Sequence, residues 1–220
     1  MSITVDKTLF NPVTTPDDPI DIQGLNTLME DCIYMLPGCS DLMLRKELQK
    51  TFREFCRRTG ALIVTDESSV TYEDYTMPLC KCDGEFYLLH RVKLNDVEVD
   101  ATRYKLNKEC GSVSIEFSLT EDEDDENGDA VIYAAEVKYS YVPRMGSEYA
   151  PAWFLTKYSD GIVAGTLFRL LAMPNKPWTD NETAKLQGLE YQRCMNGAVI
   201  ERMTNGYTVD INCRATTPFI

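Results

Sequence analysis

Ser112-Val113-Ser114-Ile115-Glu116-Phe117-Ser118-Leu119 carries an apolar side chain on every second residue. Val131-Ile132-Tyr133-Ala134-Ala135-Glu136-Val137-Lys138-Tyr139-Ser140-Tyr141 repeats the pattern with Val131, Tyr133, Ala135, Val137, Tyr139 and Tyr141. A period of two belongs to strands that bury one face, so both stretches are read as antiparallel strands. Upstream, Leu62–Thr65, Tyr72–Met77, Phe86–Leu94, Val97–Asp100 and Arg103–Leu106 are further candidates, with Asn95-Asp96 as a turn. Short strands at such spacing predict an antiparallel sandwich or barrel-like domain over residues 61–149.

On both sides the period changes to 3.6. Leu25, Leu28, Met29, Cys32, Ile33 and Leu36 fall on one face of a helix expected over about 21–36, stopped by Pro37-Gly38. Ser40 is a suitable N-cap for a second helix that buries Leu44, Leu48, Phe52, Phe55 and Cys56 and ends at Gly60. After Pro143, Pro151 suits the first turn of a helix through Ile162, Leu167 and Leu171, with Ala164-Gly165 as a close-contact point. Thr179-Asp180-Asn181-Glu182 reads as the capping box of a last helix, closed by Asn205-Gly206. The expected fold is α+β: a four-helix bundle built from 22–60 and 150–205, with the β domain inserted between its halves.

Two segments stand outside this frame. Residues 1–21, interrupted by Pro12, Pro16 and Pro19, read as an extended arm. Residues 206–220 alternate Tyr207, Val209 and Ile211 with polar side chains and finish in Pro218-Phe219-Ile220, which reads as a strand-prone docking segment. No groove within the chain is evident from the sequence to receive it, so it is expected to be mobile in the free subunit.

The 220 residues carry a net charge of −13 with a mean hydropathy of −0.28. The charge is uneven: 41–60 has six basic and three acidic side chains, whereas 61–149 has eight basic and 20 acidic. A basic strip for gripping phosphates is absent from the middle, which predicts little affinity for nucleic acid but permits DNA to slide past an acidic wall. Glu121, Asp122, Glu123, Asp124, Asp125 and Glu126 crowd the link between the two best strands. They lack the ligand pattern of a calcium loop and read as a solvated, self-repelling hairpin tip.

No secretory leader or membrane span is apparent, and the eight scattered cysteines point to a reducing compartment without a disulfide framework. The lone histidine, His90, lies inside an apolar strand and is read as bonded to a neighbour rather than catalytic. Cys80-Lys81-Cys82 is not a zinc or redox spacing, and no third residue orients a Cys80–His90 pair. Neither a phosphate loop nor a nucleophile elbow is present, so no catalytic, cofactor or metal site is assigned.

Leu36-Pro37-Gly38-Cys39-Ser40, with the following Phe52-Arg53-Glu54-Phe55-Cys56-Arg57-Arg58-Thr59-Gly60, resembles the opening of tailed-bacteriophage head-to-tail adaptor proteins. So does the sheet region, from Met77-Pro78 through His90-Arg91-Val92-Lys93-Leu94-Asn95-Asp96 to Tyr104-Lys105-Leu106. Gly161-Ile162-Val163-Ala164-Gly165-Thr166-Leu167 and Leu170-Leu171-Ala172-Met173-Pro174-Asn175-Lys176-Pro177-Trp178 complete the likeness, which covers about Leu25 to Arg202. The resemblance implies a structural protein rather than an enzyme. Such a protein forms a homo-oligomeric ring, twelve-fold in relatives, that sits in the virion neck after assembly in the host cytoplasm. The implied partners are other copies of the chain, the portal protein above and a tail or nozzle protein below, with genome DNA passing through the lumen and no cofactor. Tyr207, Val209, Ile211, Phe219 and Ile220 are then the expected portal contacts. Rival readings are another neck or tail-completion ring protein, and a cytoplasmic enzyme using Cys80 or carboxylates.

Overall fold

A computed structural model describes residues 22–79, 84–109, 111–119 and 131–204. Its elements run β1 (Ile22–Gly24), α1 (Met29–Ile33), α2 (Asp41–Thr59), β2 (Ile63–Val70), β3 (Thr76–Leu79), β4 (Gly84–Leu94) and β5 (Val97–Glu98). They continue with β6 (Tyr104–Glu109), β7 (Ser112–Phe117), β8 (Tyr133–Pro143), β9 (Tyr149–Pro151), α3 (Ala152–Leu171) and α4 (Asn181–Met203).

The fold is mixed α and β with antiparallel sheets. The two alternating stretches become β7 and β8, each starting or stopping within two residues of the sequence reading. β8 lies between β2 and β4 in a four-stranded sheet of order β2-β8-β4-β5, and β7 lies at the centre of β3-β7-β6. Among the described residues both sheets are open, so the barrel-like closure expected from strand spacing is not found. Pro78 sits in β3, an edge strand of its sheet, where its missing N–H costs no ladder bond on the open side. Asn95 and Asp96 take φ of 49° and 64°, the left-handed pair that a two-residue hairpin between β4 and β5 requires.

The first helix departs from expectation. Ile22–Gly24 pairs with Tyr149–Pro151 as β1, a 3-10 turn follows over Leu25–Leu28, and only five residues of α1 are α-helical. The apolar face is still used, because Leu25, Leu28, Met29, Cys32 and Leu36 are buried, but Ile33 is 48% exposed. Among the described residues a four-helix bundle is therefore not shown; three long helices, α2, α3 and α4, make the helical layer.

Side chains on α2 set how those helices meet. Phe52 and Phe55 are buried, and their rings pack edge-on against Phe154 of α3 at 5.6 and 6.1 Å. Gly161 and Gly165 let α2 and α4 close in: a Cβ on Gly165 would lie 2.7 Å from Thr51 and from the Tyr191 ring. Ser40 caps α2 through Met43 N–H, and Gly60 ends it at φ 61°. The α4 cap is not the box read from the sequence. Asp180 is the N-cap and accepts from the N–H groups of Glu182 and Thr183, because its carboxylate is the stronger acceptor. Thr179 instead accepts from Lys176 N–H and donates to Met173 O. Pro151 likewise stands at the N-cap of α3, one place before its first turn.

β8 joins the two layers. Its burial alternates up to Tyr139 and then ceases to: Ser140, Tyr141, Val142 and Pro143 are all buried. Here α2 lies against the strand, with Ser140 Oγ donating to Gly60 O (2.5 Å) and Arg53 donating to Pro143 O (2.5 Å).

Three substitutions test this packing. Phe55→Ala should destabilise the chain by about 3–5 kcal/mol, since a buried aromatic leaves a cavity between three helices. Gly165→Ala should also destabilise, whereas Gly197→Ala, with open space at its Cβ, should stabilise by about 1 kcal/mol through helix propensity. Urea unfolding of the three variants against the wild type checks the order.

Candidate assembly surfaces

α4 carries two apolar stripes. Ala184, Tyr191, Met195 and Ala198 face the helical core. On the opposite side Leu186, Leu189, Ile200 and Met203 are 66%, 69%, 49% and 73% exposed. Their spacing, i, i+3, i+14 and i+17, keeps them on one face of the helix, with Arg193 and Asn196 between. A second exposed apolar group surrounds the turn into α2: Ile33, Tyr34, Met35 and Leu42, of which Tyr34 is 90% exposed. Clustered exposed apolar side chains on soluble-type surfaces mark contact sites more often than chance.

Between α2, α3 and α4 lies a cavity of about 510 Å³. Phe168, Leu189 and Met195 give it apolar walls, and Arg58, Arg169 and Lys185 stand around it. Glu54 holds two of those cations, bonding Arg58 at 2.8 Å and pairing with Arg169. Tyr191 also lines the cavity and is only 5% exposed, yet its hydroxyl has no hydrogen-bond partner among the described residues. Burial pushes its ionisation upward against the pull of Arg169 and Arg58, so at neutral pH it remains a donor.

His90 is bonded to its neighbour, as its strand setting suggested. Ser140 Oγ gives its proton to Gly60 O, so His90 Nε2, 2.5 Å away, must be the donor to Ser140. Burial, helped by the charges of Arg202 and Lys138, lowers the imidazole pKa to about 4. The neutral ring is thus a structural link between β4, β8 and the end of α2. Glu136 is held below its ordinary range: burial alone would raise it, but hydrogen bonds from Lys93 and Arg91 outweigh that.

The thiols within the described residues are poor nucleophiles. Burial, with Asp31 beside it, pushes Cys32 up to about 12, and burial also raises Cys39, Cys56 and Cys194. No group of three or more His, Cys, Asp or Glu is placed to hold a metal among the described residues. No described helix is long and apolar enough to cross a membrane.

Other sequence-derived candidates lie outside the described residues. These are the arm 1–21, Cys80 and Cys82, the acidic run Glu121, Asp122, Glu123, Asp124, Asp125 and Glu126, and Tyr207, Val209, Ile211, Phe219 and Ile220. The outer face of α4 and the cavity were missed in the sequence, where two stripes on opposite sides of one helix cancel as a periodic signal. Against known proteins, no protein-family model matches the chain, and no curated protein matches it.

The His90 link carries a pH signature. A folded pKa near 4 against about 6.5 unfolded means the unfolded chain binds more protons between those values, so stability is full above about pH 6.5 and declines toward pH 4. His90→Gln should flatten that part of the decline. Urea midpoints at pH 7 and 5 for both chains measure the difference.

Proposed function

We propose that the chain is a ring-forming subunit of a tailed-bacteriophage neck, joining the capsid portal to the tail while DNA passes through the ring. The observation that carries this reading is the pair of unlike apolar surfaces, one on α4 and one at the turn into α2, which share no residue. A contact between two different patches is heterologous, and a heterologous contact that closes on itself generates a ring.

The motifs of the resemblance have physical roles that suit such a part. Leu36-Pro37-Gly38-Cys39-Ser40 makes the turn that carries the Tyr34 and Leu42 surface, with Gly38 at φ 83° and Ser40 as the cap. Met173-Pro174-Asn175-Lys176-Pro177-Trp178 makes the turn between α3 and α4. There Asn175 takes φ 57° and Trp178 donates to Leu170 O, fixing where the α4 surface points. The chain's net charge of −13 is compatible with DNA passing by without being held.

Native mass measurement of the full chain mixed with a portal ring tests the reading. The expected product is a closed ring of fixed stoichiometry on the portal, twelve copies by the resemblance. A chain that stays monomeric with and without portal overturns it. Tyr34→Asp combined with Leu42→Asp should leave the fold intact, because both side chains are exposed, and abolish the ring. In a gel shift the wild-type chain should retain duplex DNA negligibly even at low salt, where phosphate attraction is strongest.

A further inference from the structure

Tyr34 is 90% exposed, yet the chain holds its backbone firmly. Cys32 and Leu36 on either side are buried, and the N–H groups of Met35 and Leu36 bond back to Cys32 O and Ile33 O in consecutive tight turns. Tyr34 continues the helical geometry of α1, which places Glu30 and Asp31, at i−4 and i−3, on its side of the chain. Residues 22–44 contain these two acids and Asp41 but no Lys or Arg. The outcome is a rigid aromatic knob in an acidic setting.

The cavity between α2, α3 and α4 is its complement. Met195, 4% exposed, forms the floor, and Phe168 and Leu189, 40% and 69% exposed, stand at the mouth. Arg58, Arg169 and Lys185 surround this apolar hole, with Glu54 as the one acid of its lining. Glu54 is taken by Arg58 and Arg169, whereas no ion pair among the described residues holds Lys185, Glu30 or Asp31. A rim with three cations to one anion complements an acidic partner, and a cation beside an aromatic ring adds its own attraction.

The knob does not fill the socket of its own subunit. Tyr34 comes one tight turn before Ser40, the N-cap of α2, whereas Glu54 and Arg58 lie about 21 and 27 Å along that helix. We propose that Tyr34 of one copy seats in the α2–α3–α4 cavity of the next, with Glu30 and Asp31 facing the Arg58, Arg169 and Lys185 rim. This names the contact within the assembly surfaces and rests, for its biological meaning, on the neck reading. Each seated pair leaves one free knob and one free socket, which is the condition for a contact that continues around a ring. A buried tyrosine removes about 150–250 Å² from water, so one side chain makes the centre of the joint.

Sedimentation velocity of the full chain without portal protein tests the knob and socket. Tyr34→Ala should raise the Kd of self-association by about 30-fold, the loss expected of a seated aromatic anchor. Lys185→Glu with Leu189→Asp, both at exposed positions, should raise it at least as much while helix content and the melting curve stay those of the wild type. An equimolar mixture of the two variants should give a 1:1 pair and nothing larger, because each keeps the half that the other lacks. Wild-type chain that stays monomeric, variants that associate as the wild type does, or a mixture without the 1:1 pair overturns the proposal. A closed ring collected on a portal in spite of those results leaves the neck reading standing. Self-association through the socket with no ring on a portal does the reverse. A socket variant that loses portal joining but keeps self-association has portal protein in the cavity, and that also overturns the proposal.

Discussion

Phe55 meets Phe154, Tyr158 and Tyr191 with ring centroids 6.1, 5.4 and 6.3 Å away, and through them it ties α2 to α3 and α4. Everything else in the helical layer follows from that cluster. Three helices can converge on one aromatic side chain only if their backbones come close, which is why glycine stands at Gly161, where a Cβ would lie 3.1 Å from the Phe55 ring. Polar ties then gather at the margin: Lys157 pairs with Glu201, and Tyr158 donates to Glu201 at 3.2 Å. These marginal pairs are partly exposed, so they fix angle and register more than they stabilise.

The aromatic cluster holds the helices together, but it does not say where the sheet sits. That is decided by a short polar path at the end of α2, in which His90 donates to Ser140 and Ser140 donates to Gly60. Ser140 is fully buried, so this path operates where an unmade bond is costly. Arg53 reinforces it by reaching both Pro143 O and the Glu85 carboxylate (3.0 Å). The C-terminal half of α2 therefore positions β8 and β4, the two central strands of the four-stranded sheet.

Local chemistry was legible in the sequence wherever one residue type serves one purpose. Ser40 and Gly60 bracket α2 as their capping preferences require, and the alternation of Ser112–Phe117 could be satisfied only by a strand with one buried face. Legibility failed where a tertiary partner overruled a local pattern. The helical spacing of Leu25 to Leu36 is real, but the pairing of Ile22–Gly24 with Tyr149–Pro151 leaves the chain to enter through a 3-10 turn. In α4 the failure was of another kind. A helix that is apolar on two sides shows no single stripe, so the residues bound for the core, such as Met195, could not be told from those left outside, such as Leu189. One of the two candidate surfaces is written on that second side, and the unmatched hydroxyl of Tyr191 becomes visible only once three helices pack around it.

The placement of β8 between β2 and β4 also has a mechanical meaning. Its ladders run along most of its length on both flanks, from Tyr133 to Ser140 against β2 and from Ala135 to Pro143 against β4. Antiparallel ladder bonds lie across the strand direction. A force pulling along the strand from its Tyr133 end is therefore shared by many bonds in shear on two sides at once, rather than unzipping them singly. The far end of the strand is anchored to α2 through Gly60 and Arg53. Tension entering at the sheet tip is delivered to the helical layer as a stiff, nearly inextensible strut.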